Sequence, residues 1–261
     1  MIGIFDSGIG GLTVLQEIVR QNHQQSFVYI ADSAFTPYGD KSVEVITNRC
    51  DLIVQKLIDE GADIIVVACN TATALAVDSL RNKYSLPIVA MEPAIKPAVK
   101  RSRQKTVGIL ATTRTLSSER YAQLLEKFTQ TTDVYEQACT GLVEKVEQMQ
   151  LEDQQTSALL IQYLKPLIEK NIDTIVLGCT HYPLLKEQIQ TICGEQIHII
   201  DTASAVTQEV NRKISENNID DSKSCQTFYT TGDIEHFQKQ LNKYWPFAAT
   251  AQKINLSLIK S

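Results

Sequence analysis

The chain has 261 residues, 43% of them hydrophobic, and a formal net charge of −5. That length fills one large or two ordinary domains, and no basic block longer than KRSR at 100–103 is present to support a nucleic-acid groove. No run approaches the roughly 20 apolar residues of a membrane span, and the chain enters an apparent strand at Ile2 with no room for a leader. Six cysteines without CxxC spacing indicate free thiols in a reducing compartment, the cytoplasm, rather than a disulfide framework.

Residues 2–5 read as a strand and DSGIGG (6–11) as a turn whose glycines bring backbone amides to the start of a helix. The turn is not a GxGxxG fingerprint, so dinucleotide binding is not expected. A second strand, FVYIA (27–31), runs into the irregular loop DSAFTPYGD (32–40), from which Tyr38 and Gly39 can reach a site at the same sheet edge. Apolar residues keep helical spacing from Ser42 to Glu60, with Ser42 as cap, Gly61 as stop and Cys50 on the core stripe. Next comes ADIIVVACNTATALAVDSL (62–80), which reads as strand, cysteine and helix. PIVAM (87–91) is a further strand, and the prolines of EPAIKPAVK suggest a turn, a short helix and a crossing between domains near residue 95. KRSR reads as a solvated helix end.

The pattern then repeats. TVGILATTRTLSSERY (106–121) restates IGIFDSGIGGLTVL, with Gly108 and Ile109 at the places of Gly3 and Ile4, and Thr112 and Thr113 where Asp6, Ser7 and Gly8 stood. VYEQAC (134–139), the segment GLVEKVEQMQ and a helix over 153–170 carrying Pro166 follow. IDTIVLGCTHYPLLKEQIQ (172–190) aligns without a gap on 62–80, Asp173 on Asp63, Cys179 on Cys69 and Leu185 on Leu75. The strand IHIID (197–201) closes this half. The tail reads as a helix (203–216), a polar loop, the strand QTFYTT and a helix near 234–243.

Apolar runs without alternation belong to strands buried on both faces, hence to parallel sheets flanked by helices. The expected fold is therefore α/β, with two pseudo-symmetric domains, 1–95 plus 205–261 and 96–204, and an active site in the cleft between them. In such sheets chemistry sits beyond the carboxyl ends of the strands, which is where Cys69 and Cys179 fall.

Asp6, Ser7, Cys69, Asn70 and Thr71 would line one wall, and Thr112, Thr113, Cys179, Thr180 and His181 the other. Opposed thiols can remove a proton from one face of a carbon and deliver one to the other face, inverting the centre. An unperturbed thiol pKa of about 8.5 makes both thiol and thiolate accessible near neutrality. Asp6 and His181 could move the protons, and Ser7, Asn70, Thr71 and Thr180, at strand-to-helix junctions, could hold a carboxylate and an amino group. Plainer readings stand beside these. Each cysteine alone could be inert core, Tyr38 could be packing, and His23, His198 and His236 lie outside any motif. Cys69, Cys179, His181 and Asp6 are ligand types that zinc accepts, but no pair has finger-like spacing, so no metal is expected. A two-domain binding protein would need the cleft without the thiols.

FDSGIGGLTVL (5–15), ADSAFTPYGDK (31–41), ACNTAT (68–73) and GCTHYPLL (178–185) resemble, in order and spacing, the signature segments of bacterial glutamate racemases, as far as about residue 205. The resemblance implies a cofactor-independent racemase interconverting L- and D-glutamate by a two-base mechanism and supplying D-glutamate for peptidoglycan, hence for cell-wall biogenesis and cell shape. It implies that Cys69 acts on the D-enantiomer with help from Asp6, and Cys179 on the L-enantiomer with help from His181. Ser7, Tyr38, Gly39, Asn70, Thr71, Thr180 and His181 match positions that hold the amino acid, and Glu144 matches an acidic residue near the ammonium or proton path. A homodimer is implied, and a peptidoglycan-precursor effector is left open. Aspartate racemase is the neighbouring alternative; a pyridoxal enzyme would need a Schiff-base lysine that the sequence does not identify.

Overall fold

Long apolar runs give strands with both faces covered: IGIFD, FVYIA, IIVV and TIVLG are buried at every residue. The structure is a computed structural model and describes residues 1–21, 25–219 and 225–256. His23 and part of the polar loop of the tail lie outside the described residues.

The chain begins β1 (Ile2–Asp6), α1 (Leu12–Gln21), β2 (Phe27–Ala31), α2 (Val43–Asp59), β3 (Ile64–Val67), α3 (Asn70–Lys83) and β4 (Ile88–Ala90). It continues α4 (Ile95–Arg101), β5 (Thr106–Ala111), α5 (Thr113–Leu116), α6 (Glu119–Phe128), β6 (Asp133–Ala138) and α7 (Leu142–Glu147). Then come α8 (Gln154–Ile168), β7 (Thr174–Gly178), α9 (Lys186–Cys193) and β8 (His198–Ile200). The tail is α10 (Ala203–Glu216), β9 (Gln226–Thr230), α11 (Ile234–Tyr244) and β10 (Ala251–Lys253). The chain divides into two compact units, Met1–Met91 with the chain from Ala203 onward, and Glu92–Thr202.

Each unit holds one parallel sheet, as expected for the α/β class. The first runs β10-β9-β2-β1-β3-β4 and the second β6-β5-β7-β8. The order β2-β1-β3-β4 in one corresponds to β6-β5-β7-β8 in the other, and the registers correspond too. Gly3 lies opposite Val28 and Ile65, as Gly108 lies opposite Tyr135 and Ile175. The duplication seen in the sequence is thus a duplication of strand order and register.

Local signals set the helix ends. Ser42 caps α2 by accepting the Val45 N–H, and Gly61, at φ +91°, follows its end. On one face of the first sheet, α2 and α3 bury Ile46, Ile53, Leu57, Val77 and Leu80 against Phe5, Ile65 and Val67. Phe27, Phe228 and Trp245 form edge-on aromatic pairs 5.2 to 5.7 Å apart, joining β2 to β9 and to the residue that follows α11. In the second unit Val107, Ile109 and Val176 pack against Ile95, Ala98 and Tyr121.

Two elements differ from the sequence reading. β10 was not anticipated, because AQK has no strand pattern; it forms by pairing on the open edge of β9, with Ala251 opposite Phe228. After Cys179 the chain does not enter an α-helix directly as it does after Cys69. A turn and a short 3-10 helix, Tyr182–Leu185, precede α9, since Pro183 lacks the N–H that continued helix bonding would use.

Candidate active site

In the first unit the site grows from the carboxyl ends of β1 and β3. Asp6, the last residue of β1, is fully buried, and its Oδ2 accepts the Gly11 N–H at 2.7 Å, closing the turn that leads to α1. Tyr29 braces the same turn by donating its hydroxyl to the Gly8 carbonyl at 2.6 Å. Cys69 is the N-cap of α3: its Sγ accepts the Ala72 N–H at 3.5 Å, and the positive end of the helix faces the sulfur. The thiol donates to Ser7 Oγ at 3.8 Å, and Ser7 donates to Asp6 Oδ1 at 3.4 Å, so that long links run from the sulfur to the carboxylate.

Asn70 and Thr71 open α3 beside this cysteine and are buried. Neither Nδ2 nor Oδ1 of Asn70 has a hydrogen-bond partner among the described residues. Leaving a buried amide unsatisfied costs about 1–3 kcal/mol, so such a group marks a place where a ligand can bind. Tyr38 is buried in the same apolar cluster as Cys69, and its hydroxyl donates to Asp32 Oδ2 at 2.6 Å. Burial, the nearby Cys50 thiol and the Asp32 carboxylate hold its phenol well above the ordinary range, so the tyrosine stays neutral. Gly39 is half-buried.

In the second unit Cys179 follows β7 directly and lies 3.8 Å from His181 Nδ1. Thr180 Oγ1 is 3.4 Å from the same nitrogen. The other nitrogen, Nε2, meets Glu147 Oε1 at 2.6 Å, at the end of α7. Burial alone would pull the His181 pKa down, but its hydrogen bonds to Cys179 and Glu147 and the charges of those partners raise it well above 6.5. The imidazole is thus set between a sulfur and a carboxylate, both of which favour its charged form.

Residues 2–210 match the model of the Asp/Glu/hydantoin racemase family. The chain belongs to this family. It is 44% identical over 246 residues to the glutamate racemase of Stutzerimonas stutzeri, spanning 94% of this chain and 93% of the relative. The crystal structure of glutamate racemase isoform RacE1 from Bacillus anthracis superposes with a TM-score of 0.89 at 32% identity, covering 98% of this chain and 97% of that one. The Escherichia coli glutamate racemase, solved with L-glutamate and the activator UDP-MurNAc-ala, gives 0.87 at 27% identity over 98% of both chains. The likeness drawn from four short segments therefore extends over nearly the whole chain, and the protein is an amino-acid racemase, an isomerase.

Within this racemase the structure gathers Asp6, Ser7, Cys69, Asn70 and Thr71 in one unit, and Cys179, Thr180 and His181 in the other. Thr112 caps α5 by accepting the Thr115 N–H, and Thr113 is exposed. The resemblance points to Glu144 as an acidic residue near the ammonium or proton path; the carboxylate hydrogen-bonded to His181 in the structure is that of Glu147, three residues further on. Glu144 is half-buried at the start of α7, where its charge bears on Tyr163 and Tyr182. No sequence signal separates Glu147 from Glu144, which lies on the same short helix beside a valine that is also buried. His198 is exposed beside Arg101, and the His236 N–H is capped by Asp233. Among the described residues no group of three or more His, Cys, Asp or Glu could hold a metal ion. No described helix is long and apolar enough to cross a membrane.

Proposed function

We propose that this racemase interconverts L- and D-glutamate by direct proton exchange at the α-carbon, without a cofactor, and supplies D-glutamate for peptidoglycan. One observation carries the reading: two thiols stand at matching places beyond equivalent strands, each with its own proton-handling partner. From L-glutamate, the Cys179 sulfur takes the α-proton while the Cys69 thiol gives one to the opposite face, and the reverse reaction exchanges the roles. Asp6, through Ser7, resets Cys69, and His181 resets Cys179. Charge that builds on the substrate carboxylate is met by Ser7, Asn70, Thr71 and Thr180, with Tyr38 and Gly39 completing the hold on the amino acid.

The likeness to glutamate racemases supports glutamate as the substrate and the same cell-wall role. It also supports a cytoplasmic homodimer, which sedimentation of the purified chain at the monomer mass would refute. The chemistry is tested by Cys69→Ser and Cys179→Ser. A hydroxyl is a far weaker acid than a thiol, so racemisation should fall by about 100-fold or more in each variant. Folding should persist, because serine fills the same volume and is itself a good cap for α3. Near-normal turnover in both variants would exclude the two-thiol mechanism.

A further inference from the structure

The loop after β2 is fastened to its unit through one buried carboxylate. Asp32 is fully buried and accepts four hydrogen bonds: from the Tyr38 hydroxyl at 2.6 Å, Arg49 Nε at 3.0 Å, Arg49 Nη2 at 2.6 Å and the Thr231 hydroxyl at 2.8 Å. The remaining guanidinium nitrogen, Nη1, donates to the Leu256 carbonyl at 2.8 Å. The Arg49 side chain is 8% exposed, and its guanidinium lies 4.1 Å over the Phe35 ring. Thr231 Oγ1 also accepts the Ala34 N–H at 3.2 Å. One arginine on α2 thus ties together both ends of the loop, the residue after β9 and the segment after β10.

An ion pair this deep is a weak source of stability, because desolvation offsets most of its attraction. What a planar, forked guanidinium supplies is geometry: it can satisfy both carboxylate oxygens and a carbonyl at once. Tyr38 is the residue this geometry fixes. Its hydroxyl is committed to Asp32, so its contribution to a ligand lies in where the tether holds its ring, in the same cluster as Cys69, and Gly39 next to it in the chain. The last described residue of the chain, Leu256, is part of that hold.

We propose that Arg49 is a positioning residue for substrate binding, setting residues 38–39 through Asp32 and coupling them to the end of the chain through Leu256. The assignment rests on the reading of Tyr38 and Gly39 as substrate-holding residues. A lysine at position 49 keeps the charge but has no fork to serve Asp32 and Leu256 together.

The test uses the full-length Arg49→Lys and Thr231→Val variants, with KM and kcat measured from both L- and D-glutamate, and amide hydrogen exchange of residues 33–40 followed without substrate. Arg49→Lys should raise KM about tenfold in both directions while kcat stays within about threefold, the mark of lost uniform binding. Thr231→Val should raise KM by a smaller factor with the same split, and the loop amides should exchange faster in both variants. A purely structural role would lower the yield of folded enzyme and leave KM where it was. Unchanged KM in the folded variants, a fall in kcat alone, or unaltered loop exchange overturns the proposal. If Arg49→Lys does not accumulate as folded protein, Thr231→Val decides by the same criteria. Failure of the functional reading is a separate result, a wild-type enzyme that does not turn over glutamate; loop exchange in the variants then decides the tethering by itself.

Discussion

Cys69 and Cys179 occupy matching positions yet are served by different chemistry. Cys69 has a helix N-terminus and a hydroxyl leading to Asp6, whereas Cys179 has an imidazole backed by Glu147. The raised pKa of His181 makes the Glu147 interaction dependent on pH. A group whose folded pKa lies above its unfolded value contributes stability that is complete below the unfolded value, here 6.5, and is lost as pH rises through the folded one. Glu147→Gln should therefore cost about 2 kcal/mol near pH 6.5, and the gap from wild type should narrow as pH rises, as thermal or urea unfolding across a pH series would show. The same variant should slow turnover of L-glutamate at least about tenfold, and more than Glu144→Gln does; the opposite ranking would place the assisting carboxylate at Glu144. Both cysteines and the asparagine beside one of them were legible because they sit at fixed offsets from strand ends. Glu147 was not legible, since it shares a short helix with Glu144 three positions away and only packing shows which carboxylate meets His181. The Asp32–Arg49 pair was hidden for another reason: nothing in a sequence joins a loop aspartate to an arginine on the next helix and a carbonyl near the chain's end.

Strand order and register are repeated between the two sheets, but the neighbours of equivalent residues are not. At Gly3 an added Cβ would lie 2.8 Å from Ala62 Cβ and 3.1 Å from Leu57 Cβ, atoms fixed to the backbone of adjoining elements. At Gly108 the obstacles are Ile172 Cδ1 at 2.8 Å and Leu167 Cδ1 at 3.2 Å, the far ends of side chains that can swing aside. Gly3→Ala should accordingly destabilise the protein by about 1–3 kcal/mol, and Gly108→Ala by clearly less, as chemical denaturation would measure; equal costs would mean that side-chain freedom at β5 is not what separates them. The strands and helices with strong apolar periodicity were legible from sequence. β10 and the 3-10 helix after Cys179 were not, because the first depends on an edge supplied by β9 and the second on a proline that interrupts an otherwise matching pattern.

As a whole the chain is a member of the Asp/Glu/hydantoin racemase family in which the matched region, residues 2–210, stops short of the last two strands. Those strands extend the first sheet and, through Thr231 and Leu256, bear on the loop that holds Tyr38, so the tail belongs with the proposed substrate site. The class of fold was readable because buried parallel strands write a continuous apolar run. The family was readable because four signature segments stand in order and spacing, two of them carrying the repeated cysteine unit. What the proposed mechanism requires is that the proton leaving the α-carbon and the proton arriving there are different protons. The direct measurement is conversion of L-glutamate by the purified enzyme in deuterated water, with no added cofactor or metal, following the enantiomer ratio and the isotope at the α-carbon from the first turnovers. D-glutamate should appear carrying solvent deuterium at that carbon; unconverted L-glutamate, or D-glutamate that keeps the original protium, would contradict it.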